Sequence, residues 1–364
     1  MNLAILGWSP IHQKSYTACA QTLADPKITV PGRIAAVLPG LFRVWTEEGE
    51  ITATLPGRLR GGLHEECPQP AVGDWAALEA GGSGGSAVIR RILPRTSRIS
   101  RNSAGQETRE QVLAANVDIA FIVGSLNGEL NFNRMERFLV AAFDGGTMPV
   151  MLLNKSDLLP ESRVRASSLE SRMPGVPVRV ISALSGEGME EVGGYLETGR
   201  TAVFLGSSGV GKSTIINRLL GREAVNTAGI SDYKDRGRHT TTSREMHLLG
   251  SGGIVIDTPG LRELQIWEGG NGVAQTFPDI EELAGRCRFD DCRHQGEPGC
   301  AVKEAVEEGA VSQERFRSYQ KILREARFHQ RRQSVRLRME ETRRWKSITK
   351  AMRHCDKARR QAGD

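Results

Sequence analysis

Residues 201–221 read TAVFLGSSGVGKSTIINRLLG, and this stretch decides the fold. An apolar run, TAVFL, leads into Gly206-Ser207-Ser208-Gly209-Val210-Gly211-Lys212-Ser213, the pattern G-x-x-x-x-G-K-S, and a helical segment opens behind it. The glycines let successive backbone N–H groups turn toward one point, and the following helix adds the positive end of its dipole. Such a loop cradles the phosphates of a nucleoside triphosphate. Lys212 neutralises the β- and γ-phosphates, the Ser213 hydroxyl coordinates Mg²⁺, and Thr214 closes the expected phosphate-binding set.

Outward from this loop, apolar runs alternate with helical ones. VDIAFIVGS (117–125), PVMLLNKSD (149–157), VPVRVISA (176–183) and GGIVIDTPG (252–260) read as strands, with a helix at NRMERFLVAAFDGG (133–146). Continuous apolar strands alternating with helices predict a parallel sheet covered on both faces, with ligands at the carboxyl ends of the strands. Asp257 ends one strand, where it can hold Mg²⁺ through water, and the Gly260 N–H can meet a γ-phosphate. Between the two motifs lies GRHTTTSRE (237–245), where Thr241 or Thr242 is expected to complete the Mg²⁺ shell.

Asn154, Lys155 and Asp157, from N-K-S-D, end a second strand, and Ser182 and Ala183 end a third. The Asp157 carboxylate can accept from N1–H and N2–H₂ of guanine. Adenine offers no donor at either place and would leave the carboxylate unpaired, a difference of about 1.5–3 kcal/mol per charge-assisted bond. The Asn154 amide is expected to steady the base loop and the N7 edge, the Lys155 stem to lie over the ring, and the Ala183 N–H to donate to O6. GTP is therefore expected over ATP. In most GTPases the phosphate loop precedes the base motifs. Here the base motifs come first, which is a circular permutation, feasible because domain termini usually lie close together at the surface.

From Gly32 to about Arg98 the pattern is different: GRIAAVL, LFRVWT, EITATLP, DWAALEA and SAVIRRILP, separated by turn residues. Five short strands in so short a span predict a small barrel of the OB type over 31–98. Residues 1–30 lack periodicity and read as an extension, and 99–111 (ISRNSAGQETREQ) as a polar linker. The nucleotide domain is then expected over 112–270 and a zinc-binding module with a basic helical tail over 271–364.

Cys287, Cys292, His294 and Cys300 give C-x₄-C-x-H-x₅-C within RCRFDDCRHQGEPGC. Three thiolates and one imidazole suit a closed tetrahedral zinc site with a structural role. Charge is unevenly spread along the 364 residues. Residues 311–364 hold 17 Lys+Arg against 6 Asp+Glu, whereas the first 310 hold 32 against 37. A basic tail on an acidic body is the footprint of a polyanionic partner, RNA or DNA before membrane. No apolar run approaches the ~20 residues of a membrane span, and the first residues do not read as a secretory signal.

Taken together, the OB-like barrel, the permuted N-K-S-D and G-S-S-G-V-G-K-S-T motifs, G-R-H-T-T-T, D-T-P-G and the zinc spacing resemble the RsgA family, bacterial GTPases acting late in small ribosomal subunit assembly. The resemblance spans roughly residues 30–330. It implies a cytoplasmic protein that binds the small (30S) subunit and its 16S rRNA, and cycles between GTP and GDP in subunit-stimulated hydrolysis that drives release. A monomer without membrane contact is expected. Ras-type enzymes place a water-orienting Gln just after D-x-x-G, where this chain has Leu261, so a slow enzyme alone is expected. His239 is the internal candidate to orient the water, with Arg236 and Arg238 as weaker candidates for phosphate contact. The competing classes are a passive RNA-binding assembly factor and an ATP-driven RNA remodeller, the second opposed by Asp157.

Overall fold

The computed structural model describes residues 1–21, 29–56, 68–79, 81, 86–102, 110–126, 130–159, 162–225, 244–257 and 271–328. The expected barrel is present. Strands β1 (Thr29–Leu38), β2 (Leu41–Thr46), β3 (Gly49–Thr54), β4 (Trp75–Glu79) and β5 (Ala87–Ile92) run in the order β1-β2-β3-β5-β4, and a β1–β4 ladder closes the cylinder. Alternating inward residues fill it, among them Ile34, Val44, Ala76, Leu78 and Ile89, all buried. Among the described residues, only the β3–β5 pair is parallel within the barrel.

The nucleotide domain carries β8 (Ile119–Ser125), β9 (Met148–Asn154), β10 (Val178–Val180), β11 (Thr201–Gly206), β12 (Glu245–Leu248) and β13 (Ile254–Asp257). The order is β10-β9-β8-β11-β13-β12, with the first five parallel and β12 antiparallel at the end. Side chains divide by strand alternation. Ala120, Ile122, Val203 and Leu205 face helices α2 (Phe132–Asp144) and α3 (Ser162–Arg172), while Ile119, Phe121, Ala202 and Phe204 face α4 (Met189–Gly194) and α5 (Lys212–Leu220). Burial on both sides is why these strands read as unbroken apolar runs. The barrel and this sheet are continuous through a β1–β12 bridge, Ala36 opposite Glu245, and Arg43 of β2 pairs with Glu245 across the junction.

Two segments differ from the sequence reading. Residues 1–30 are not simply an extension: α1 (Pro10–Gln21) packs on the barrel, with the Trp8 ring edge-on to Trp75 at 4.7 Å and Leu6 fully buried. The helix buries only His12 and Cys19, so it carries no apolar stripe to detect. The segment read as a linker forms β6 (Arg98–Asn102), paired with β7 (Glu110–Ala115) as a separate antiparallel ribbon.

C-terminal to the sheet, α6 (Asn271–Thr276), α7 (Pro278–Ala284), α8 (Ala301–Glu307) and α9 (313–328) enclose Val273, Phe277, Ile280, Val302, Phe316, Tyr319 and Ile322. Among the described residues no helix is long and apolar enough to cross a membrane.

Candidate nucleotide and metal sites

The phosphate loop joins β11 to α5, as the sequence predicts. Gly206, Gly209 and Gly211 have φ of +150°, +80° and +99°, and Gly211 caps the N-terminus of α5. Ser207, Ser208 and Val210 complete the loop, and Lys212, Ser213 and Thr214 form the first turn of the helix. The Lys212 Nζ donates to the carbonyls of Gly206 (2.9 Å) and Ser207 (2.7 Å), which folds the side chain back over its own loop. Burial pushes the Lys212 ammonium down to about 8, and Asp257, at the end of the neighbouring strand β13, acts in the opposite direction. Lys212 and Asp257 are therefore close enough to sense one another, the relation a Mg²⁺–phosphate site needs.

The base motifs lie at the ends of β9 and β10, two and three strands over from β11. Lys155 adopts a left-handed conformation (φ +70°) and turns the chain into a short 3-10 turn, Ser156–Leu158, that presents Asp157 at the surface. The Ser182 hydroxyl donates to Asp157 Oδ1 at 2.5 Å and so fixes the carboxylate. The structure gives Asn154 and Ala183 partners within the protein. The Asn154 Nδ2 donates to the Val210 carbonyl (2.9 Å), and its Oδ1 accepts from the Ala183 N–H (3.0 Å). Asn154 thus ties the base loop to the phosphate loop, and the Ala183 N–H meets the same side chain. Sequence reasoning missed one further residue at the site: Arg134, from the first turn of α2, donates through Nη1 to Ser207 Oγ at 2.7 Å. No motif marks Arg134, because it reaches the loop from an element 73 positions away.

His239, Thr241, Thr242, Arg236, Arg238, Gly260 and Leu261 lie outside the described residues, as does the basic tail beyond 328.

The four metal-ligand candidates converge. The Nδ1 of His294 lies 3.7, 3.5 and 3.4 Å from the Sγ atoms of Cys287, Cys292 and Cys300, and all four donors fall within 4.8 Å of one another. A tetrahedral zinc with ordinary Zn–S and Zn–N bonds has S···N edges of about 3.5 Å. His294 holds a left-handed φ of +57°, uncommon for a non-glycine residue, and its carbonyl accepts from Gln320 of α9 (3.2 Å). Burial, reinforced by the neighbouring thiols Cys300 and Cys287, pushes the Cys292 thiol up to about 11. Crowded thiols of this kind ionise when a cation joins them, so donor set and spacing fit a metal ion.

A family model described as RsgA GTPase matches residues 92–267. The chain is 41% identical to a small ribosomal subunit biogenesis GTPase RsgA of Opitutus terrae, over 97% of each. It is 43% identical to one of Listeria innocua, over 88% of this chain and 91% of the relative. Among solved structures, YjeQ from Thermotoga maritima superimposes with a TM-score of 0.61 at 28% identity, covering 82% of this chain and 98% of that one. YloQ, described as a circularly permuted GTPase, gives 0.58 at 26% identity, covering 82% and 95%. With the permuted order of base and phosphate motifs present in the folded domain, the chain belongs to the RsgA GTPase family.

Proposed function

We propose that this GTPase binds the small ribosomal subunit and its 16S rRNA as a cytoplasmic monomer, assists late maturation, and leaves when GTP is hydrolysed. The observation that carries the reading is the Asn154 bridge between two motifs in permuted order, which makes base selection and phosphate binding one rigid unit. Relatives named for small-subunit biogenesis supply the partner. Guanine is selected by Asp157, fixed by Ser182, with Lys155 over the ring. Gly206 to Thr214 take the phosphates. Ser213, Thr241 and, through water, Asp257 hold Mg²⁺, which screens charge on the β- and γ-phosphates. Gly260 meets the γ-phosphate, and His239 orients the water. Zinc on Cys287, Cys292, His294 and Cys300 is structural, since four protein ligands leave no open position.

The barrel, the nucleotide domain and the zinc module grip the immature subunit together, and the basic tail adds salt-dependent contacts to RNA. GTP turnover measured with and without purified small subunits tests the reading. Strong stimulation is expected, and equal rates would reduce the protein to a passive RNA-binding factor.

A further inference from the structure

Helix α2 touches the phosphate loop with its first turn and the C-terminal module along the rest of its length. Arg134 Nη1 bonds Ser207 Oγ at 2.7 Å. Two residues on, Glu136 is fully buried, and its Oε1 accepts from Arg172 (3.3 Å) and from Arg315 of α9 (3.2 Å). Its Oε2 accepts from the Ser318 hydroxyl, also on α9. Arg315 continues into a forked pair with Asp279 of α7, at 2.7 and 2.6 Å. Further along, Arg137 pairs with Glu325 (3.0 Å), Val140 joins the core of the C-terminal module, and Asp144 accepts from the Gly272 N–H (2.8 Å). A Cβ on Gly272 would stand 2.4 Å from the Val140 carbonyl, so α6 lies directly against α2.

Contacts of this kind tie α2 to the module as one body. Removing a partner from a buried ion cluster leaves an uncompensated charge, and close-packed interfaces move between discrete arrangements more readily than they deform. The Arg134–Ser207 bond is different: it is an exposed contact at the edge of a site that receives a polyanion. A guanidinium there is attracted more strongly by a triphosphate than by a diphosphate, which is the differential interaction a ligand needs to bias a conformational equilibrium.

We propose that Arg134 is a positioning residue through which the nucleotide in the phosphate loop sets the placement of α2, and with it the module formed by α6–α9. The proposal rests on reading residues 206–213 as the phosphate loop.

Hydrogen exchange of the full-length protein with bound GDP and with a non-hydrolysable GTP analogue tests it, read on peptides within 313–328. In the wild type, exchange should differ between the two nucleotides by about fivefold, the lower end of ordinary coupling between sites. With both nucleotides at saturating concentration, Arg134→Gln should erase the difference, and Arg134→Lys should restore part of it. A wild type whose 313–328 exchange is equal in both states overturns the proposal. So does Arg134→Gln with the difference intact. Direct binding of the analogue separates this failure from failure of the phosphate-loop reading. In the second case the wild type does not bind the analogue, or Lys212→Ala binds it as well as the wild type does.

Discussion

The side-chain amide of Asn154 donates to the carbonyl of Val210 at 2.9 Å, so a residue of the N-K-S-D motif holds the G-x-x-x-x-G-K-S loop in place. The next residue, Gly211, sits at φ +99°, and a Cβ there would come within 2.2 Å of the Asn154 amide nitrogen. Glycine is required twice over, for its conformation and for the close approach. Asn154→Ala should leave the Val210 carbonyl and the Ala183 N–H without their buried partner. About 1–3 kcal/mol is at stake, or roughly ten- to hundredfold weaker GTP binding. Gly211→Ala should lose more, because it strains the backbone as well. Titration with a fluorescent GTP analogue measures both, and wild-type affinity in Asn154→Ala would dissolve the bridge.

Lys212 gives the nucleotide site a pH dependence. Burial holds its ammonium near about 8, below the ordinary 10.5, so above pH 8 the protein without nucleotide increasingly carries neutral lysine. A bound triphosphate favours the charged form, so binding must take up a proton there. Affinity for GTP should therefore fall by up to about tenfold per pH unit between roughly pH 8 and 10. Folding stability moves the other way: the unfolded chain binds more protons between the two values, so this group's contribution rises with pH across that window. Calorimetry in buffers of different ionisation enthalpy at pH 9 should show proton uptake. No uptake would mean that Lys212 is already charged in the free protein.

How much of this was legible in the sequence depended on what each residue buries against. The sheet strands were plain, because Phe121 and Ile122 face opposite cores and both are apolar. The barrel strands were plain because Gly49 and the Pro39-Gly40 turn punctuate them. Helix α1 was not, since its contact with the barrel uses His12 and Trp8 in place of an apolar stripe. The β6–β7 ribbon read as a linker because cross-strand pairs such as Arg98 and Glu110 are polar. The four candidate metal ligands lie within fourteen residues, so their spacing was enough. Glu136 gave no sign of its place in an ion cluster, because Arg315 is 179 positions away.

The metal centre should behave as part of the C-terminal fold. Cys300 is buried in the same core as Val302 and Ile322, so its thiol has both a ligand's and a packing role. Cys300→Ser should drop zinc content from one per chain to none and leave 271–328 open to proteolysis. GTP should still bind, because the Asn154 bridge lies wholly within the other domain. Since the thiols must lose protons to bind, zinc retention against a chelator should weaken as pH falls. Metal analysis alongside limited proteolysis decides it, and a protease-resistant, metal-free Cys300→Ser would argue against a structural metal.

Arg33 carries the last prediction, because three parts of the chain meet on one side chain. Its guanidinium is buried and donates to the carbonyls of Leu6 in the N-terminal segment, Gly73 in the barrel and Asn116 at the entry to the nucleotide domain. It also lies 5.5 Å from the centre of the Trp75 ring. Burial pushes its pKa down to about 10, with Asp118 and Asp74 opposing, so it remains charged at neutral pH. Lysine can keep the charge but cannot span three carbonyls in one plane, and methionine fills the volume while leaving the Leu6 and Asn116 carbonyls unpaired, Gly73 keeping the Asn116 Nδ2 donor at 3.0 Å. Each buried acceptor left without a donor costs about 1–3 kcal/mol. Arg33→Met should therefore lower the melting temperature by about 5 °C or more, with Arg33→Lys between it and the wild type. The loss should also appear as faster amide exchange in residues 1–21, since the Leu6 contact is what fastens that segment at depth. If Arg33→Lys melts with the wild type and residues 1–21 stay protected, the aromatic contacts of Trp8 alone hold the N-terminus, and Arg33 serves only the barrel.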